Sequence, residues 1–100
     1  MSLHTYGKSS SAVALKRVVD KFDHISHKIA PILEDCNLMM AALSEVESPR
    51  VYLMLWHASR QEMVARARQC VLPEVVRSHL LLTLVTIMRN ARRNRIEEVS

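Results

Sequence analysis

The single glycine of this chain is the feature that most restricts the folds open to it. Gly7 is the only glycine among 100 residues, and it lies in a polar N-terminal stretch. Tight β-hairpin turns favour glycine because it adopts positive φ, and phosphate-binding loops need several glycines so that the backbone can approach the ligand. The sequence therefore excludes glycine-rich nucleotide-binding loops and the nucleophile elbow of hydrolases, and it argues against a β-sandwich.

The remaining composition favours helices. Hydrophobic residues make up 49% of the chain but aromatic residues only 4%, so the apolar content comes mainly from Leu, Val, Ala, Met and Ile. Leu, Ala and Met, like the abundant Arg and Glu, are good helix formers. We predict an all-α fold, with a mobile polar tail at residues 1–9 and a single helical domain at residues 10–100.

The first predicted helix covers residues 11–45. Apolar residues recur there at alternating spacings of three and four, which predicts a helix with a coiled-coil-like seam. The seam residues are Leu15, Val18, Phe22, Ile25, Ile29, Ile32, Cys36, Met39, Leu43 and Val46. Pro31 lies inside this run but off the seam, so we expect the helix either to kink there or to break, giving three long helices or four.

Two further prolines mark two further helices. Ser48 is a good N-cap and Pro49 a good first residue, which predicts a second helix over residues 49–71. The apolar stripe predicted for it includes Leu53, Trp56, Met63, Val64, Ala67, Cys70 and Val71. Pro73 begins the third predicted helix, over residues 73–98, whose middle is apolar on nearly every side. Such a helix is either central in a bundle or part of an interface.

The helix lengths bear on assembly and on function. An unbroken helix over residues 11–45 is about 52 Å long, whereas a compact domain of this size has a radius of gyration of about 13 Å. We therefore expect an oligomer or a partner-bound molecule, with a monomeric four-helix bundle as the alternative.

The expected function is that of a small cytoplasmic protein-interaction module acting through apolar helix faces, such as an adaptor, a secretion-type chaperone or an anti-activator regulator. The candidate contacts with a second copy or with another helical protein are Leu15, Val18, Phe22, Ile25, Ile29, Tyr52, Trp56, Leu81, Leu84 and Met88.

Positive charge is concentrated near the C-terminus. The net charge is +4, and four arginines fall within seven residues, namely Arg89, Arg92, Arg93 and Arg95. The string Ala-Arg-Arg-Asn-Arg at residues 91–95 resembles the arginine-rich helix of the lentiviral Rev proteins, and the resemblance ends at Ile96, where the chain turns acidic. It implies RNA binding through the arginines, so the alternative function is that of an RNA- or DNA-binding regulator. The other interpretation is a solvated helix end in which Arg93 pairs with Glu97.

Catalytic and metal-binding patterns are weak in this sequence. Four residues of the first helix fall close together on its outer face and are more typical of a solvated surface than of a zinc site, namely Asp20, Asp23, His24 and His27. A nucleophilic pair of Cys70 and His79 needs a third group and an oxyanion hole, which nothing in the sequence marks. We therefore expect no enzyme activity, no cofactor, no metal and no small-molecule substrate.

The expected compartment follows from the cysteines and the apolar runs. Cys36 and Cys70 are too few for a disulfide framework, and we expect both to be buried, reduced thiols in the cytoplasm. The longest apolar run, over residues 80–88, is far shorter than the ~20 residues of a membrane span, so no membrane partner is expected.

Overall fold

The computed structural model describes residues 10–19 and 25–99, and these form four α-helices without any strand. The helices are α1 (Ser10–Val19), α2 (Ser26–Leu43), α3 (Pro49–Gln69) and α4 (Glu74–Val99). The all-α bundle predicted from composition is thereby confirmed. Its radius of gyration is 13.8 Å, close to the value of about 13 Å for a compact chain of this length.

The long first helix is divided, but the boundary does not lie at Pro31. It lies between Val19 and Ser26, and α2 continues through Pro31, which is exposed. Ile29 and Ile32, on either side of the proline, are both buried. The ring sits on the outer face of the helix and displaces no core side chain. The unbroken 11–45 helix, on which the expectation of an elongated molecule depended, is therefore absent.

The turn between α2 and α3 follows the predicted capping. The hydroxyl of Ser48 accepts a hydrogen bond from the backbone N–H of Val51 at 3.3 Å, and Pro49 is the first helical residue. An N-cap serine of this kind satisfies one of the otherwise unpaired N–H groups of the first turn. Farther along the hairpin, the carboxylate of Asp35 on α2 accepts from Arg66 on α3 at 2.7 Å.

The buried stripe of α3 differs in part from the predicted one. It consists of Tyr52, Trp56, Ser59, Met63 and Ala67, spaced by three or four residues as one helix face requires. Leu53 and Val71 were predicted to belong to the stripe, but they are 38% and 79% exposed. Leu53 lies about 100° around the helix from Tyr52, and Val71 follows the end of the helix.

The fourth helix is the central one of the bundle. It packs against α1, α2 and α3, and its buried side chains are Val76, Leu80, Thr83, Leu84 and Met88. The hydroxyl of the polar member, Thr83, donates to the carbonyl of His79 at 2.7 Å. Contact with three neighbours explains most of the apolar middle of this helix, in which Leu82 alone is exposed, at 54%.

Arg77 joins the start of α4 to the end of α3. Its Nη1 lies 2.6 Å from the carbonyl of Ala67 and 2.8 Å from each of the carbonyls of Arg68 and Cys70, and its Nη2 donates to Leu72 at 3.2 Å. The last carbonyls of a helix have no partner within it. The guanidinium supplies these partners and places a positive charge at the negative end of the α3 dipole.

The two cysteines lie in different surroundings, and neither forms a disulfide. Cys36 is buried, and burial raises the pKa of its thiol to about 11. Because the thiolate is the reactive species, Cys36 is inert at neutral pH. Cys70 is only half-buried, at the turn between α3 and α4. No helix within the described ranges has the length and apolar character needed to cross a bilayer.

Candidate functional site

Most of the candidate partner contacts lie in the core of the bundle rather than on its surface. The members that are at most 5% exposed are Leu15, Ile25, Ile29, Tyr52, Trp56, Leu84 and Met88. Leu81 is half-buried, whereas Phe22 and the side chain of Val18 lie outside what the structure describes. Packing within the chain already covers the buried members. A protein partner would therefore have to contact other apolar side chains.

The four C-terminal arginines separate into two groups. Arg89, Arg92 and Arg93 line a cleft between α3 and α4. Arg95 lies instead beside the α2–α3 turn, where its guanidinium carbon is 4.1 Å from the centroid of the Tyr52 ring and its Nη2 donates to the Glu47 carbonyl at 3.1 Å. Successive helical residues are rotated by about 100°, so a run of arginines cannot all face the same side.

Trp56 forms the floor of the cleft and fixes one of its arginines. The indole Nε1 donates to the carbonyl of Met88 at 2.9 Å, which ties α3 to α4. The guanidinium carbon of Arg92 lies over the indole at 5.0 Å from its centroid, and the His57 ring meets the indole edge-on, also at 5.0 Å. A cation held over an indole is stabilised by the quadrupole of the ring. Arg92 is thus held in position before any ligand arrives.

Two arginines of α3 extend the cleft toward the other end of the helix pair. The first cleft has a volume of about 610 Å³ and is also lined by Arg60 and Ile96. A second cleft, of about 410 Å³, has Arg60 and Arg68 on one wall and Leu81 and Val85 on the other. Because Arg60 lines both clefts, they are neighbours along the α3–α4 pair. We call the two clefts together the arginine groove and define it by Arg60, Arg68, Arg89, Arg92 and Arg93.

The charges described in the groove are all positive. Among the side chains that the structure describes, no Asp or Glu lines either cleft, and the side chains of Glu97 and Glu98 lie outside that set. The ion pairs found in the described part of the chain, Arg66 with Asp35 and Arg77 with Glu74, involve no groove arginine. The arginine charges also act on Tyr52, where burial raises the pKa of the phenol and Arg95 and Arg92 oppose that shift.

The α3 side of the groove was not identified from the sequence. Arg60 and Arg68 are separated from the C-terminal cluster by more than twenty residues, and neither was among the predicted site residues. What brings these two arginines to the cluster is the antiparallel packing of α3 against α4. It brings the C-terminal part of α4 beside the N-terminal part of α3, as the bond between Trp56 and Met88 demonstrates.

Metal ligands do not converge in the described ranges, where no three His, Cys, Asp or Glu could hold an ion together. Of the polar cluster discussed for the first helix, His27 is exposed, and the other members lie outside those ranges. His79 and Cys70 are each half-buried.

Comparisons with family models, curated proteins and solved structures found no match for this chain. The resemblance of residues 91–95 to the Rev helix therefore stands alone. The support that it gives to RNA binding is weakened further by Arg95, which contacts Tyr52 and does not line the groove. The chemistry of the arginine groove is the remaining basis for a functional conclusion.

Proposed function

We propose that this protein is a nucleic-acid-binding regulator whose arginine groove holds the phosphates of an RNA or DNA partner. The observation that carries this proposal is the convergence of five arginines from two helices on one groove, with no acidic residue among its described lining. An excess of one charge along a concave surface attracts the opposite charge and raises its local concentration.

Arginine is the side chain best suited to this ligand. Its guanidinium is planar, permanently charged and able to donate two parallel hydrogen bonds to phosphate oxygens. Arg60, Arg68 and Arg89 are exposed, so their donors are accessible from solvent. Each phosphate contact releases condensed counterions from the nucleic acid, and this release is the main source of sequence-independent affinity.

The test is binding of fluorescently labelled mixed-sequence oligonucleotides, single-stranded and duplex, RNA and DNA, followed by anisotropy at two salt concentrations. Five phosphate contacts with a single strand predict a loss of affinity of about 100-fold between 50 and 200 mM salt. Affinity that does not change with salt, or the absence of binding to every oligonucleotide, would contradict the proposal.

A pair of matched variants assigns the binding to the groove. Arg60→Glu/Arg89→Glu changes the charge inside the groove, whereas Arg17→Glu/Arg50→Glu makes the same change at exposed positions that line neither cleft. We expect the groove variant to bind at least about tenfold more weakly and the control to stay within about threefold of wild type. Equal losses in the two variants would mean that only net charge matters.

A second candidate, a protein-interaction module, is supported by an apolar stripe on α3 that none of the four described helices covers. Val51, Met54, Leu55 and Ala58 are exposed, and their i, i+3, i+4, i+7 spacing is the one with which amphipathic helices dock. A second copy of the chain is the proposed partner, because two such stripes can pair about a two-fold axis. The free thiols support the cytoplasmic location expected for either function.

Light-scattering mass on a sizing column tests this second candidate. The expected mass is twice the 11.5 kDa of the chain, and Met54→Glu should return it to the mass of one chain because an unpaired charge disrupts the apolar contact. A wild-type mass of 11.5 kDa at micromolar concentration would contradict self-association. The anisotropy experiment above would be unaffected by that result.

A further inference from the structure

The shape of the arginine groove distinguishes between forms of nucleic acid. Building on the nucleic-acid binding proposed above, we infer that the ligand is a single strand and that one of its bases stacks on the guanidinium of Arg92. Three observations carry this inference: the position of the arginines inside a groove, the length of that groove, and the fixed placement of Arg92 over Trp56.

The arginines line a groove between two packed helices instead of projecting from a ridge. Helices whose axes are about 8–10 Å apart are in contact, so the groove is the shallow channel above their line of contact. A duplex, whose major groove alone is about 12 Å wide, is too wide to settle into such a channel and would rest on its rims. Many proteins that read duplexes insert a helix into the major groove, but α4 is the central helix and contacts all three others. A single strand is narrow enough to lie along the channel.

The length of the groove agrees with a short single-stranded segment. Trp56 and Met88 lie at the same level of the antiparallel pair, so the groove extends from Arg93 at one end to Arg68 at the other. The helical rise makes that distance about 25 Å. A fully stacked strand advances about 3.4 Å per nucleotide, so the groove accommodates at most about seven nucleotides and fewer where bases turn toward the protein. Both lengths are within the range known for single-strand-binding surfaces.

Arg92 provides a surface for a base. Its guanidinium carbon lies 5.0 Å from the indole centroid of Trp56, and the indole is itself held by the bond to Met88. Trp56 is only 5% exposed, so a base cannot reach the indole directly. The half-buried Arg92 lines the cleft above it. Bases in single-stranded ligands stack on arginine guanidinium planes as well as on aromatic rings.

The apolar part of the groove is suited to the neighbouring bases. Ile96 lies in the first cleft, and Leu81 and Val85 in the second. In a single strand the bases are free to turn toward such apolar side chains, while the phosphates remain with the arginines on the walls. Binding of this kind is tolerant of sequence, because every base has a face that can stack.

The experiment compares three probes on the wild-type chain and on Arg92→Lys. The probes are a labelled mixed-sequence 12-nucleotide single strand, its duplex, and inorganic polyphosphate, which has the charge but no bases. Lysine keeps the charge of Arg92 and removes the planar group. Circular dichroism verifies that the variant is folded, and the fluorescence of Trp56, the only tryptophan, reports whether the ligand reaches the cleft.

We expect the single strand to bind at least about tenfold more tightly than the duplex. Arg92→Lys should weaken single-strand binding about tenfold but polyphosphate binding by less than about threefold, because lysine keeps the charge and the other four groove arginines still hold phosphates. Duplex binding as tight as single-strand binding would overturn the inference and leave the proposed function intact. An equal loss of both ligands in Arg92→Lys would assign its guanidinium to a phosphate instead of a base and overturn the stacking role. If no probe that contains nucleotides binds, the proposed function fails as well.

Discussion

Arg77 and Arg92 are half-buried residues of the same helix, yet their guanidinium groups have opposite uses. Arg77 donates to four backbone carbonyls around the end of α3. Arg92 lies over a tryptophan ring, and this contact with the π-system of the ring uses none of its N–H groups as hydrogen-bond donors. Burial alone therefore does not separate a structural arginine from a binding one, whereas the identity of the contacted group does.

Replacing Arg77 with Ala gives the largest expected loss of stability. The change removes all contacts of the side chain with the carbonyls of α3 and the following turn, and hydrogen bonds to a charged group are the strong class. We expect a decrease in the free energy of unfolding of about 3 kcal/mol, measured by urea denaturation. A decrease below about 0.5 kcal/mol would contradict the structural role, since that is the range of ordinary surface substitutions.

Replacing Trp56 with Phe tests the second point at which α3 and α4 are joined. The phenyl ring keeps most of the apolar volume but cannot donate to the carbonyl of Met88, 2.9 Å away in wild type. We expect a loss of about 1–2 kcal/mol in the same denaturation experiment. If this variant were as stable as wild type, the indole hydrogen bond would contribute nothing to the joining of the two helices.

Replacing Arg95 with Ala sharpens the contrast within the C-terminal cluster. The variant loses the contact with Tyr52 and the bond to the Glu47 carbonyl, for which we expect a loss of about 0.5–1 kcal/mol. Because Arg95 lies outside the groove, oligonucleotide affinity should fall by less than about threefold. An anisotropy titration that finds a loss as large as that of a groove variant would place Arg95 in the binding surface.

Replacing Arg89 with Ala should have the smallest effect on stability and a clear effect on binding. Arg89 is exposed, and substitutions of this kind change the free energy of unfolding by less than about 0.5 kcal/mol. Removing one phosphate contact should lower the slope of log affinity against log salt by about 0.7. A slope equal to that of the wild type would mean that Arg89 contacts no phosphate.

The helices were predictable from the sequence because their signals are local. The scarcity of glycine favours helices throughout the chain. The cap at Ser48 and the prolines at 49 and 73 act within one turn of the chain. A kink or a break was expected at Pro31, since a proline is the strongest local helix breaker, but the division between α1 and α2 lies before Ser26. Pro31 lies near the start of α2, on its exposed face. The sequence does not show this because the first residue of α2 is not marked by a local signal.

The groove was only partly predictable, because its two walls meet through tertiary packing. The sequence identified Arg89, Arg92 and Arg93 as a cluster but included Arg95, which the helical rotation places elsewhere. It gave no reason to join Arg60 and Arg68 to that cluster. Arg66 illustrates the same limit, since Glu62 four residues earlier favours an ion pair within α3, whereas the structure pairs Arg66 with Asp35 on α2.

An NMR titration that observes the Nε–Hε signals of the individual arginines, as a single-stranded oligonucleotide is added, separates the groove arginines from the structural ones. We expect the signals of Arg60, Arg89 and Arg93 to shift in proportion to binding, while those of Arg77 and Arg95 stay in place. Shifts spread equally over all arginines, including Arg17 and Arg50, or shifts confined to residues outside the groove, would contradict binding in the arginine groove.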